Sequence, residues 1–217
     1  MKVVTAIDSF KGSLTSMQAG QAASEGIKKV YPGAEVFVRP IADGGEGTVD
    51  ALVEGMNGKR CAIDVTGPLG KSVRAEYGIM EETRTAIMEM SAASGITLIT
   101  DKERNPLHTT TFGVGEMIKD AINKGCRNFI MGIGGSATND GGIGMLQALG
   151  FGILDKEGNQ VPFGAKGLKE IFVIDDKNAL PLLKECTFNI ACDVTIPFAA
   201  KGVAAQYTVL RRVPTKR

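Results

Sequence analysis

The sequence predicts an α/β fold in two lobes, with a parallel sheet at its start. Three observations carry that prediction. Short β-branched runs alternate with helical segments through the first sixty residues. Glycine, 28 of 217 residues, collects in loops that follow the apolar runs. The style of the chain then changes near residue 66, which marks a boundary between an N-terminal segment, 1–65, and a second α/β lobe, 66–195.

Val3–Ile7 is a buried strand by its β-branched content, and Ser13–Val30 is a helix with Ala19, Ala22, Ala23, Ile27 and Val30 on one face, stopped by Tyr31-Pro32-Gly33. Glu35–Pro40 is a second strand, Gly47–Met56 a second helix and Arg60–Thr66 a third strand. A βαβαβ order of this kind implies parallel pairing with right-handed crossovers. Val73–Met80 and Thr85–Met90 form a hairpin around the polar turn Glu81–Arg84. Val114–Asn123 is a helix closed by Lys124-Gly125, Asn128–Ile133 a buried strand and Gly142–Leu149 a helix. Phe151–Leu154, Phe172–Ile174 and Thr187–Cys192 are further strands.

Composition narrows the function. With 25 basic and 24 acidic residues the net charge is +1, so no global field draws the chain to nucleic acid or to an anionic membrane. No apolar run approaches the roughly 20 residues of a membrane span. The N-terminal apolar run is followed at once by Asp8, which reads as a first strand and not as a signal peptide. Cys61, Cys126, Cys186 and Cys192 are widely spaced and the single His108 has no ligand neighbours, which argues against structural zinc and for reduced thiols in the cytoplasm. Cys192, Met88 and Met90 read as core, and Glu89 as either a cleft residue or a solvated one.

Four loops carry candidate chemistry. In Asp8-Ser9-Phe10-Lys11-Gly12-Ser13, just beyond the first strand, Asp8 and Lys11 suit a charged substrate, while Ser13 reads as a helix N-cap. In Asp43-Gly44-Gly45-Glu46-Gly47 the glycines free amides at a helix start. The acids there would repel a bare phosphate unless Mg²⁺ bridged the two, and a plain glycine turn is the alternative. Gly134, Gly135, Ser136, Ala137, Thr138, Asn139 and Asp140 follow a buried strand and precede a helix, an arrangement that suits an oligophosphate nest without being a Walker A loop. Asp193 ends the last strand and either faces the same cleft or is solvated.

The motifs DSFKGS, ADGGEGT, VTGPLG, EMSAASG, NPLHTTTFGVGE, GIGGSATNDGG, GMLQALG and ACDVT stand in the order found in bacterial class I glycerate kinases, and the chain resembles that family from Met1 to about Thr195. The resemblance implies ATP-dependent phosphorylation of D-glycerate with Mg²⁺ in the cytoplasm. It also implies a two-lobed fold in which one lobe, here incomplete, is inserted into a parallel Rossmann- or flavodoxin-like sheet. By that analogy Gly134–Asp140 takes the nucleotide phosphates. Ser9, Asp43, Gly44, Gly45 and Glu46 face substrate, Asp43 and Glu46 hold the metal, and Asp8, Lys11 and Asp193 serve the chemistry. The implied product is a phosphoglycerate, the 2-phosphate favoured.

From Ile196 the sequence departs from the family pattern. The tail holds five basic residues, Lys201, Arg211, Arg212, Lys216 and Arg217, and no acid. A family-like Ala-Val-Tyr-Gly-Pro-Gln-Lys-Gly-Ala-Asn-Lys-Glu segment, in a suitable choice of codons read one base later, yields Gln206–Arg217. The expectation is a frameshifted tail at 196–217 on a truncated, inactive kinase, with a non-catalytic nucleotide-binding fragment as the alternative.

Overall fold

A computed structural model describes residues 1–8, 10, 13–41, 47–55 and 58–192. The 196–217 tail, and with it the frameshift expectation, lies outside them. The chain is α/β, with three sheets among the described residues.

The first sheet pairs β1 (Lys2–Thr5) with β2 (Glu35–Val38) in parallel, Lys2 opposite Glu35 and Thr5 opposite Val38, joined by α1 (Ser16–Val30). Thr15 and not Ser13 caps α1. Its hydroxyl accepts from the Gln18 amide at 3.2 Å, and the Gln18 side chain accepts from the Thr15 amide at 2.9 Å. Ser13 has no Gln or Glu three residues on to close such a box. The buried face of α1 is Ser16, Ala19, Gly20 and Ser24, with Ala22 and Val30 exposed. Small residues win that face because the helix sits close to β2: a Cβ at Gly20 would lie 2.4 Å from Val38 Cγ1.

The second sheet has the order β3-β4-β5-β6-β9, from β3 (Lys59–Thr66), β4 (Ser72–Met80), β5 (Thr85–Glu89), β6 (Asn128–Gly132) and β9 (Thr187–Ala191). Here the βαβαβ reading fails at its third strand. β3 does not join β1 and β2 but runs antiparallel to β4 over its full length. It pairs antiparallel with β4 because the link is short: the Gly67 amide donates to Lys71 O at 2.6 Å. A parallel return needs a crossover of about a dozen residues, and this turn allows only a hairpin. β4 and β5 form the expected hairpin, while β5, β6 and β9 are parallel, so the sheet is mixed.

Helix α4 (Phe112–Asn123) connects β5 to β6, and α5 (Ile143–Ala148) follows β6. Adjacent residues of β5 serve opposite faces, as the pleat requires. Met88 joins Tyr77, Phe129, Met117, Ile118 and Ile122 under α4, whereas Ile87 packs with Val49 and Val53 of α2 (Thr48–Gly55) on the other side. Phe129 and Phe188, opposite each other on β6 and β9, stack with centroids 4.7 Å apart. A short helix α3 (Ser91–Ser94) follows β5, and β7 (Gly152–Leu154) pairs antiparallel with β8 (Val173–Asp175) as a third sheet. Met88 and Met90 pack in or against the core as expected, but Cys192, expected there, is exposed just past the end of β9.

Candidate active site

The parallel ladder sets Glu89, Gly132 and Ala191 in one row, the last residues of β5, β6 and β9. Ligands of open α/β sheets bind beyond such carboxyl ends. The loop after β6 is held there by neighbouring backbone. The Met90 amide donates to Gly132 O at 2.9 Å, the Ile96 amide to Gly135 O at 2.8 Å and the Ala137 amide to Ser94 O at 2.8 Å. Gly135 is exposed with φ +68°, and a Cβ there would also stand 3.3 Å from Ser91 Cβ. Only glycine adopts that turn without strain. Ser136, Ala137 and Thr138 are buried, Gly134 and Asn139 half-buried.

Asp140 is 1% exposed. Its carboxylate accepts from the Thr111 amide at 2.9 Å, the Thr111 hydroxyl at 2.9 Å, the Gly142 amide at 3.0 Å and the Gly144 amide at 3.4 Å. The Thr111 hydroxyl oxygen in turn accepts from the Met145 amide at 3.0 Å. The charge therefore sits between the starts of α4 and α5, its oxygens engaged by protein donors. Thr109 and Thr110 are fully buried beside it, and the Thr109 hydroxyl donates to Ala137 O at 2.9 Å. This hydroxyl run braces the glycine loop, a role the sequence reading did not assign. His108 next to it is exposed.

The loop forms one wall of a cavity of about 750 Å³. Ser136, Thr138, Asn139, Asp140, Gly141 and Gly142 line its polar side, and Met131, Ile133, Met145, Leu146, Phe188 and Ile190 are among its apolar side. A mostly apolar cleft with a few convergent polar groups, in the range of roughly 300–1,000 Å³, suits a small ligand with an apolar part and a polar end.

Glu89 lies on the other side of the loop and is 9% exposed. Its Oε1 accepts from the Val49 amide in the first turn of α2 at 2.9 Å, and the Ser91 hydroxyl donates to Oε2 at 3.4 Å. Burial pushes its carboxyl above the ordinary glutamate value, and Asp50 adds to the rise. The amides of Val49 and Thr48 and the Ser91 hydroxyl pull the other way. Neither a solvated position nor simple exposure to a cleft describes it. The signal for it in the sequence was an acid between two core methionines at the end of a strand.

Of the other predicted site residues, Asp8 is half-buried beyond β1. Ser9, Lys11, Asp43, Gly44, Gly45, Glu46 and Asp193 lie outside the described residues. Among the described residues no group of three or more His, Cys, Asp or Glu side chains could hold a metal ion. Likewise, no helix among them is long and apolar enough to cross a membrane.

Residues 3–209 match the profile of the Glycerate kinase family, a stretch that runs on past Thr195. The chain is 47% identical over 201 residues to a glycerate kinase of Haemophilus influenzae, covering 93% of this chain and 53% of that protein. It is 45% identical over 206 residues to a glycerate 2-kinase of Escherichia coli strain K12, covering 95% of this chain and 54% of that protein. A crystal structure from Salmonella typhimurium LT2, presented as a candidate glycerate kinase 2, superposes with a TM-score of 0.93 at 43% identity, covering 99% of this chain and 57% of that one. The chain thus spans about half the length of the curated relatives it matches.

Proposed function

The chain belongs to the glycerate kinase family, and from that membership we propose that it carries the nucleotide-binding part of a cytoplasmic kinase that phosphorylates D-glycerate with ATP. The observation that carries the reading is the cavity walled on one side by Ser136–Gly142. ATP has the two parts that such a cleft asks for. Its adenine fills the apolar side against Met145 and Phe188, and its phosphates lie along Gly134–Asn139. Phosphoryl transfer asks the protein mainly for positioning and charge neutralisation. The braced glycine loop supplies the first, with backbone amides already fixed before the nucleotide arrives.

In this reading Asp43 and Glu46 bind Mg²⁺ or the glycerate hydroxyls, which ADGGEGT suits by setting two carboxylates among glycines at the entrance to α2. Mg²⁺ bound there would neutralise phosphate charge. Asp8 or Asp193 orients or deprotonates the attacking hydroxyl, and Lys11 holds the glycerate carboxylate or a transferring phosphoryl oxygen. The 2-phosphate as product is supported by the name of the Escherichia coli relative.

The test combines two measurements on the purified chain: MgATP binding by calorimetry, and ATP-coupled turnover with D-glycerate. Binding supports the nucleotide assignment, and it should weaken about tenfold or more in Asn139→Ala. Turnover supports the kinase itself, while binding without turnover supports a nucleotide-binding fragment. A chain that binds no ATP overturns the reading.

A further inference from the structure

Glu89 is a buried carboxylate at the carboxyl end of β5, and the chemistry proposed above does not use it. A buried carboxylate is costly unless its oxygens are satisfied. Here one oxygen serves α2 through the Val49 amide, and the other meets the Ser91 hydroxyl at the start of α3. Ser91 in turn lies under the glycine loop: its Cβ is 3.3 Å from where a side chain on Gly135 would begin. From α3 the loop is pinned again, since Ser94 O accepts the Ala137 amide at 2.8 Å and the residue after Gly95 donates to Gly135 O at 2.8 Å.

The connection therefore runs from the first turn of α2, through both oxygens of Glu89 and the Ser91 hydroxyl, to the underside of Gly135. α2 packs on one face of the sheet with Ile87, and α4 on the other with Met88. Glu89 and Ser91 sit at the sheet's end, where the two sides meet. Capping α2 accounts for the bonds from the Val49 and Thr48 amides, and the contact with Ser91 extends beyond a cap.

We infer that Glu89 is a positioning residue: it fixes the start of α2 against the glycine loop after β6 and sets that loop in its ligand-ready shape. This deepens the function proposed above and rests on reading Gly134–Asn139 as the phosphate loop. The role belongs to hydrogen-bond geometry, so glutamine, which keeps an acceptor oxygen for the Val49 amide, should replace glutamate far better than alanine does.

Amide hydrogen exchange on the ligand-free chain tests the connection, and MgATP titration tests its effect. In Glu89→Ala the amides of Val49, Ile96 and Ala137 should all exchange about tenfold faster. In Ser91→Ala, which leaves the bond to α2 intact, Val49 should keep its protection while Ile96 and Ala137 exchange about threefold faster. Glu89→Gln should restore most of the protection at all three amides. MgATP affinity should fall about tenfold in Glu89→Ala and stay within about threefold in Glu89→Gln. Loss of protection confined to Val49 in Glu89→Ala, or unchanged Ile96 and Ala137 in Ser91→Ala, makes Glu89 a cap only and overturns the inference. If Glu89→Ala does not fold, the Ser91→Ala comparison decides alone. A wild-type chain that binds no MgATP counts against the nucleotide reading, and the exchange results still decide the connection.

Discussion

Asp140, expected at a ligand, also holds the fold together. Its carboxylate accepts from two amides at the start of α5 and from the amide and hydroxyl of Thr111 before α4. Asp140→Ala strands these buried donors together, and losses of that kind cost roughly 1–3 kcal/mol for each unsatisfied group, with partial relief from relaxation or water. We expect Asp140→Ala to lose about 3 kcal/mol or more of stability, read from a urea denaturation midpoint. A variant with the wild-type midpoint would show that the carboxylate is dispensable to the fold. The sequence made the loop legible as a glycine-rich turn between a strand and a helix, which the structure places after β6 and before α5. It did not reveal that four protein donors hold the Asp140 carboxylate, since a carboxylate has the same one-dimensional signature with or without them. Glu89 was legible only as an acid at a strand end, because its partner amide, that of Val49 on α2, lies 40 residues away in the sequence.

For the elements, what they are was easier to read than what they pair with. β3 to β6, α4 and α5 fall close to their sequence-predicted spans because β-branched runs and glycine stops act locally. The partner of β3 depended on a tight turn at Gly67–Lys71, and apolar periodicity carries no information about that. α3 escaped the reading because four residues contain barely one turn of helical pattern. The α4–α5 contact is the element on which the cavity wall rests, and Gly115 of α4 lies close against α5. A Cβ at Gly115 would fall 2.4 Å from Met145 O and 2.7 Å from Ala148 Cβ. Gly115→Ala should therefore force the helices apart at a cost of about 1–3 kcal/mol, the usual range for overpacking. Met145 lines the cavity, so the same variant should also bind MgATP more weakly. A thermal melt and a titration on one sample check both, and an unshifted melt would show that α5 moves away freely.

Across the whole molecule, the smaller sheets and the outer strand carry apolar side chains in solvent. Phe172 is 65% exposed, Ile174 62% and Ile190 52%. Apolar surface concentrated near strand edges promotes association between copies. Replacing Ile174 with Lys should lower concentration-dependent light scattering without lowering the melting temperature, and unchanged scattering would place the association elsewhere. The row Glu89, Gly132, Ala191 has a consequence for how this fold tolerates length change. Three parallel strands stop at the same level, so the loops beyond them are measured from a common baseline. An added or deleted residue in a turn far from that baseline, such as Asp155–Gly158, leaves the reach of every site loop unchanged. One residue gained or lost inside β6 shifts the baseline itself: it exchanges the inward and outward faces of the strand and carries the glycine loop about 3.3 Å along the sheet. Insertions and deletions should therefore be accepted at the 155–158 turn and rejected within 128–132, a pattern set by the ladder and not by the chemistry of the loops.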